Sequence, residues 1–157
     1  PDWSPDKAQQ QMDQAITALG RDRIIGVYAA NDGTAGGAIA AMKAAGITPL
    51  PPVTGQDAEL AGIQRIIAGE QYMTVYKATK AETAAAADLA VQLLRGRTPV
   101  TGRTVNNGAA DIPSILLQPI TVTKDNIRDT VLADTFWTVR DICTPAYAQA
   151  CAQAGLR

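Results

Sequence analysis

Apolar residues recur at helical spacing in four segments of the chain. The first segment begins at Ser4-Pro5, a pair typical of a helix N-cap and first helical residue, and it ends at Gly20. The other three segments are residues 34–45, residues 57–69 and an alanine-rich stretch at residues 81–94. This spacing predicts four amphipathic helices, with Asp57 as the N-cap of the third.

Short apolar runs between these segments predict β-strands. Residues 24–30 form a continuous apolar run, which is typical of a strand that is covered on both faces. Residues 71–77, QYMTVYK, are rich in β-branched and aromatic side chains. Residues 114–123 predict a further strand that Pro119 interrupts, and the preceding residues 98–114 are expected to form a loop.

Helices and buried strands thus alternate along most of the chain. This order predicts an α/β fold with a mostly parallel sheet and helices on both faces. A short helix is expected after Asp125, and Thr138 with Asp141 has the spacing of a capping box.

Composition narrows the range of functions. The chain has 157 residues, 46% of them hydrophobic, and a formal net charge of −1, which fits one domain and not a basic nucleic-acid surface. No run of about 20 apolar residues is present. Histidine is absent, which removes the commonest general base and metal ligand. We therefore predict no metal, no cofactor and no enzymatic activity, although catalysis by carboxylates alone stays open.

The two cysteines, Cys143 and Cys151, are eight residues apart. One uninterrupted helix would separate their Cα atoms by about 12 Å, whereas a disulfide needs less than about 7 Å. Pro145 can interrupt the helix and allow a small hairpin, so we predict a disulfide, with two buried free thiols as the alternative. An even cysteine count fits an extracytoplasmic protein.

A glycine-rich turn follows the first predicted strand. Its Gly33, Gly36 and Gly37 fit neither the dinucleotide fingerprint nor the phosphate-binding loop, and no lysine follows them in the turn. The turn is therefore expected to allow close packing of a helix on the sheet. Asn31 differs, because it lies at the carboxyl end of a strand, where open α/β sheets bind ligands.

Polar residues occupy the same place after successive strands. Asn31, Asp57 and Lys77 each follow an apolar run, so all three are expected at one edge of the sheet. A carboxylate, an ammonium group and a carboxamide suit a ligand with many hydroxyl groups. The alternative is that these residues are helix caps and surface charges.

A family resemblance rests on four stretches: WSPDKA, NDGTAGGAIAAM, TGQDAELAGIQRIIAGEQYMTVYK and VNNGAADIPSILLQPITVT. Together they resemble the xylose-binding proteins of ABC sugar importers, within the ribose/galactose-binding (type I) periplasmic binding protein family. The match runs from about residue 2 to about residue 130, and its long central motif is the most specific part. The tail that carries both cysteines departs from the family pattern.

The resemblance implies sugar contacts at Asn31, Asp57 and Lys77, and stacking of Trp3 on the sugar ring. Trp3 has an alternative role as a hydrophobic staple beside the Ser4 cap. In this family the sugar lies between two lobes, and the chain looks like the C-terminal lobe alone. Residues 1–78 would be its core, residues 79–104 a helix that packs on the other lobe, and residues 105–157 the return through the hinge, the last strand and the tail.

The resemblance also implies the function and location. The protein would bind xylose or a similar monosaccharide outside the cytoplasm and deliver it to a membrane permease, with a separate N-terminal lobe or a second chain completing the cleft. No signal peptide is visible, and we interpret the sequence as a mature or trimmed fragment. The alternatives are the sugar-sensing domain of a lac-repressor-type regulator, a Rossmann-like enzyme, and an interaction module.

Overall fold

The computed structural model describes residues 1–156. They divide into two compact units. The first comprises Pro1–Tyr76 and the chain from Ile120 onward, and the second comprises Lys77–Pro119. No helix within the described residues is long and apolar enough to cross a membrane.

The first unit carries most of the secondary structure. Its elements before the second unit are helices α1 (Pro5–Leu19), α2 (Asp32–Ala44) and α3 (Leu60–Ala68), a 3-10 turn (Arg21–Arg23) and strand β1 (Thr74–Tyr76). After the second unit come strand β4 (Ile120–Val122), a π-helical turn (Arg128–Leu132), helix α5 (Val139–Ile142), a 3-10 turn (Pro145–Tyr147) and helix α6 (Ala148–Gln153).

Helix α1 begins where the sequence predicts, whereas α2 begins at Asp32, two residues before the predicted start. The Ser4 hydroxyl accepts a hydrogen bond from the Lys7 amide at 3.3 Å, and Gly20 ends α1 with a φ of +84°. The two helices approach so closely that a Cβ at Gly37 would lie 2.1 Å from the Pro5 carbonyl oxygen. The expectation that the glycine-rich turn lets a helix pack closely on the sheet is therefore wrong in its partner, because the close contact at Gly37 is with helix α1.

A cluster of apolar side chains packs beneath these two helices. Its buried members are Ala29, Ala35, Ile39, Met42 and Val53. Partly buried residues from α1, including Met12 and Ile16, pack against this cluster.

Regular strand pairing in the first unit is short. Parallel pairing is limited to single bridges between Val27 and Val53 and between Gln56 and Val75, whereas β1 pairs with β4 in antiparallel register. The prediction that residues 24–30 are a strand covered on both faces is wrong. Ile25 and Tyr28 are each 88% exposed, so no other part of the described chain covers them.

The second unit contains helix α4 (Thr79–Leu94) and a hairpin of strands β2 (Arg103–Asn106) and β3 (Asp111–Ser114). The prediction of a loop at residues 98–114 is wrong at these two strands. A turn closes the hairpin, with the Asn107 amide donating to the Ala110 carbonyl oxygen at 3.1 Å. Asparagine and glycine in this turn favour the hairpin over an irregular loop.

Two predictions about the helices of the first unit have different outcomes. The capping box is confirmed, because the Asp141 amide donates to Thr138 Oγ1 at 3.2 Å and the Thr138 amide to Asp141 Oδ2 at 2.9 Å. The prediction that Asp57 caps the third helix is wrong. That helix begins after Glu59, because residues 57 and 58 form a turn with positive φ.

The predicted disulfide is also confirmed. Cys143 and Cys151 are bonded, with Cα atoms 5.8 Å apart, and the 3-10 turn that begins at Pro145 interrupts the helical tail between them. The tail is part of the first unit, and its residues Val131, Ile142 and Cys151 are buried there.

Candidate functional site

Backbone hydrogen bonds bring the ends of neighbouring strand segments together in the first unit. The Asp32 amide donates to the Gln56 carbonyl oxygen at 2.9 Å. The Asp57 amide likewise donates to the Val75 carbonyl oxygen at 2.9 Å. Because the segments run parallel, the residues that follow them lie along one edge, which we call the strand-end edge.

Asn31 is buried at this edge and is also the N-cap of α2. Its Oδ1 accepts hydrogen bonds from the Thr34 amide at 3.0 Å and from Thr34 Oγ1 at 2.6 Å. No hydrogen bond within residues 1–156 involves Asn31 Nδ2, and no buried side-chain polar atom there lacks a partner. The Nδ2 group therefore keeps access to solvent. Asn31 fulfils the capping alternative with its oxygen and still offers a donor to a ligand.

The turn that carries Asp57 has an unusual backbone. Asp57 has a φ of +95° and Ala58 a φ of +50°, which few residues other than glycine adopt. Asp57 is half-buried, and Ala58 is fully buried. Such conformations persist where the surrounding structure fixes them, and they concentrate at functional sites.

Asp32 lies beneath this turn with its carboxylate fully buried. Its Oδ2 accepts from the Glu59 amide at 2.9 Å and from Thr74 Oγ1 at 2.9 Å. Its Oδ1 accepts from Gln71 Nε2 at 2.7 Å. Burial raises the pKa of Asp32, and these hydrogen bonds, together with the charge of Arg65, oppose that rise.

Space for the Asp32 carboxylate depends on two glycines. A Cβ at Gly55 would lie 2.1 Å from Asp32 Oδ1, and one at Gly62 would lie 2.4 Å from Asp32 Oδ2. Sequence reasoning missed this buried carboxylate. The only sequence features that point to it are Asp32 at the start of α2 and the glycines Gly55 and Gly62. These residues are far apart in the sequence and come together only in the fold.

Arg65 and Glu59 complete the charged groups around Asp32. Arg65 Nη2 donates to the Asp32 carbonyl oxygen at 2.6 Å, and burial lowers the pKa of Arg65. Burial also raises the pKa of Glu59, and the negative charges of Asp32 and Asp57 raise it further. No group of histidine, cysteine, aspartate or glutamate within the described residues has the arrangement of a metal site.

The other two predicted site residues are Trp3 and Lys77. Trp3 is 73% exposed and immediately precedes Ser4, the N-cap of α1. The neighbouring Pro5 contacts the first turns of α2, since a Cβ at Gly33 would lie 3.5 Å from its Cγ. Lys77 is exposed and is the first residue of the second unit, directly after Tyr76 at the end of β1.

A groove of about 300 Å³ lies between α1, α2 and residues 27–30. Apolar side chains line most of it, including Met12, Tyr28 and Ala38. Asn31 and Asp57 lie instead at the strand-end edge. An Asn31 amide donor and the Asp57 carboxylate there suit neutral hydroxyl groups better than the groove does.

Comparison with known proteins gives one family. The family described as periplasmic binding protein domain matches residues 1–98. The chain is 49% identical over 134 residues to the D-xylose-binding periplasmic protein of Escherichia coli (strain K12). The aligned region covers 85% of this chain and 40% of that protein. It is 43% identical over 140 residues to the protein of the same name from Haemophilus influenzae, covering 89% of this chain and 42% of that protein.

Solved structures give the same result. A carbohydrate transporter solute-binding protein from Chloroflexus aurantiacus, in complex with D-glucose, has a TM-score of 0.79 and 36% identity. The similarity covers 87% of this chain and 41% of that one. An ABC transporter solute-binding protein from Clostridium phytofermentans, with bound β-D-glucose, has a TM-score of 0.81 and 26% identity over 89% of this chain and 44% of that one. The chain therefore spans about two fifths of the length of these relatives.

Proposed function

The chain belongs to the periplasmic binding protein family, and from this premise we propose that it forms part of the C-terminal lobe of a sugar-binding protein of an ABC importer. The ligand is xylose or a similar monosaccharide, held in a cleft between two lobes. Closure of the lobes about a hinge would present the loaded form to the membrane permease.

The strand-end edge is the observation that carries this proposal. The Asn31 amide keeps a donor for a hydroxyl oxygen, and the Asp57 carboxylate can accept hydrogen bonds from two neighbouring hydroxyl groups. Hydrogen bonds to a charged group are stronger than those between neutral groups. The names of the relatives agree with this chemistry, since they specify D-xylose and D-glucose as ligands.

Two further contacts belong to the proposal. Lys77 would donate to a hydroxyl oxygen from its position directly after β1. Trp3 would stack its indole on the face of the sugar ring, and its high exposure fits a side chain that a ligand covers.

The names of the relatives describe sugar-binding and solute-binding proteins, so we propose that this chain binds its sugar without chemical change. We also propose an extracytoplasmic location, which the disulfide between Cys143 and Cys151 supports. The same bond disfavours the alternative of a cytoplasmic lac-repressor-type regulator.

Substitution of Asp57 tests the proposal in the complete two-lobed protein. Asp57→Ala should raise the Kd for D-xylose or D-glucose roughly 10- to 150-fold, since a hydrogen bond to a charged group contributes about 1.5–3 kcal/mol. Isothermal titration calorimetry measures the change. Asp13→Ala is the matched control, because Asp13 is an exposed carboxylate on α1 and its loss should leave the Kd unchanged. Equal affinity of Asp57→Ala and the unmodified protein for both sugars would refute the site.

A further inference from the structure

The turn that carries Asp57 holds a backbone conformation that its own sequence disfavours. Two consecutive residues, Asp57 and Ala58, have positive φ although neither is glycine. Glycine would adopt this conformation without steric cost. Contacts from outside the turn must therefore maintain it.

The amide groups of the turn are held from below by the core of the first unit. The Asp57 amide donates to the Val75 carbonyl oxygen at 2.9 Å, and the Ala58 amide donates to Thr74 Oγ1 at 3.2 Å. The Glu59 amide donates to Asp32 Oδ2 at 2.9 Å. Three successive amides are thus fixed by β1 and by the start of α2.

The carbonyl group of the turn is held by a residue that is far away in sequence. Trp137 Nε1 donates to the Ala58 carbonyl oxygen at 2.8 Å across a separation of 79 residues. This hydrogen bond links the peptide that follows Ala58 to the tail. Because the Ala58 amide is already bonded to Thr74, both polar backbone groups of Ala58 have a partner.

Trp137 is itself well anchored. Its ring packs edge-on against the Phe136 ring, with the two ring centroids 5.3 Å apart. The ring centroids of Phe136 and Tyr76 are 5.0 Å apart. The Trp137 amide donates to the Val131 carbonyl oxygen at 3.2 Å. Thr138, the next residue, is the N-cap of α5. The indole N–H is therefore presented to the turn in a fixed direction.

We propose that Trp137 is a positioning residue for sugar binding, which holds the Ala58 carbonyl group so that Asp57 is oriented before the ligand arrives. This inference rests on the proposed function. A turn fixed in advance does not lose conformational freedom when the sugar binds, so the affinity is higher. The tail thereby becomes part of the binding apparatus although no ligand contact is assigned to it.

Trp137→Phe tests the inference in the complete protein, because it removes the N–H donor and keeps an aromatic ring. We expect the Kd for D-xylose or D-glucose to rise about tenfold. Amide hydrogen exchange at Ala58 and Glu59 in the sugar-free protein should accelerate by a similar factor, while exchange within α2 stays within about twofold. Should this variant fail to fold, Trp137→Leu removes the same donor and introduces no other.

Thr138→Ala is the matched control. It removes the cap of α5 and weakens the tail without touching the turn, so its Kd should stay within about twofold of the unmodified protein. A Kd for Trp137→Phe within twofold, or a rise shared equally by Thr138→Ala, would overturn the inference. If Asp57→Ala weakens binding in the same series, the proposed function survives that failure. If Asp57→Ala has no effect, the proposed sugar site and this inference both fail.

Discussion

Helices α2 and α4 are both rich in alanine but differ completely in burial. Eight of the 13 residues of α2 are buried. None of the 16 residues of α4 is buried, although the structure describes this helix throughout. Helix-forming composition therefore predicts that each segment is helical but not what each helix contacts.

Contacts at the start of the two helices explain part of the difference. Asn31 caps α2 through its side chain, and Asp32, the next residue, is bonded to groups from three other segments. Helix α4 follows Ala78, which has no side chain that could cap it. A helix with a specific start and close neighbours is part of a core, whereas α4, which has no buried residue, depends mainly on propensity.

The largest expected effect tests whether close packing distinguishes the two helices. Gly37→Val in α2 should lower the free energy of unfolding by about 3 kcal/mol or more, because its Cβ would lie 2.1 Å from the backbone oxygen of Pro5. Ala86→Val in α4 introduces the same side chain and should cost only about 0.5 kcal/mol through helix propensity. Urea denaturation measures both. Equal losses would mean that α4 is packed as closely as α2.

Local sequence signals predicted a large part of this structure. The cap at Ser4, the capping box at Thr138 and the disulfide follow from neighbouring residues, and each is confirmed. The strand-end placement of Asn31 follows from the alternation of strand and helix. The two caps and the disulfide depend only on residues that are at most eight positions apart in the sequence.

Long-range contacts were not predictable in the same way. The Asp32 carboxylate is bonded to Gln71 and Thr74, which are 39 and 42 residues away, and Trp137 contacts the turn at Ala58 across 79 residues. The positive φ of Asp57 also has no local signal, because the turn lacks a glycine at that position. Only the folded structure brings these distant residues together and stabilises the positive φ of Asp57.

A second prediction concerns the pH dependence of the first unit. Burial, then the hydrogen bond that Tyr76 donates to Asp134 and the charge of that carboxylate, raise the pKa of Tyr76 from 10.0 to about 12. The folded state therefore holds its phenolic proton more tightly than the unfolded state. This contribution to stability is complete below pH 10 and is lost as the pH rises to about 12, a loss on the order of 2 kcal/mol or less.

Tyr76→Phe should abolish this part of the alkaline loss, because phenylalanine has no proton to release. Urea denaturation of both proteins at several pH values from 8 to 12 measures the difference. The α4 variant Ala86→Val should keep the full pH dependence of the unmodified chain. An identical slope for Tyr76→Phe and the unmodified protein between pH 10 and 12 would show that the buried phenol contributes nothing to it.

The smallest expected effect is on α4 within this chain. Leu93 is 61% exposed and Leu94 is 87% exposed. Replacing either leucine by serine should change the free energy of unfolding of the 157-residue chain by no more than about 0.5 kcal/mol. In the complete protein we expect a further loss of about 1.5–3 kcal/mol per leucine, because we propose that the N-terminal lobe covers this face.

Comparing the same leucine substitutions in the 157-residue chain and in the complete two-lobed protein tests the role of α4. Glu82→Ser, a polar substitution on the same helix, serves as the control and should have little effect in either context. A loss well above 0.5 kcal/mol in the 157-residue chain would mean that the leucines are already buried there, for example between two copies of the chain. A small effect in both proteins would mean that the other lobe does not cover α4. Only a loss confined to the complete protein supports the interpretation that α4, unlike α2, belongs to a core that this chain does not form by itself.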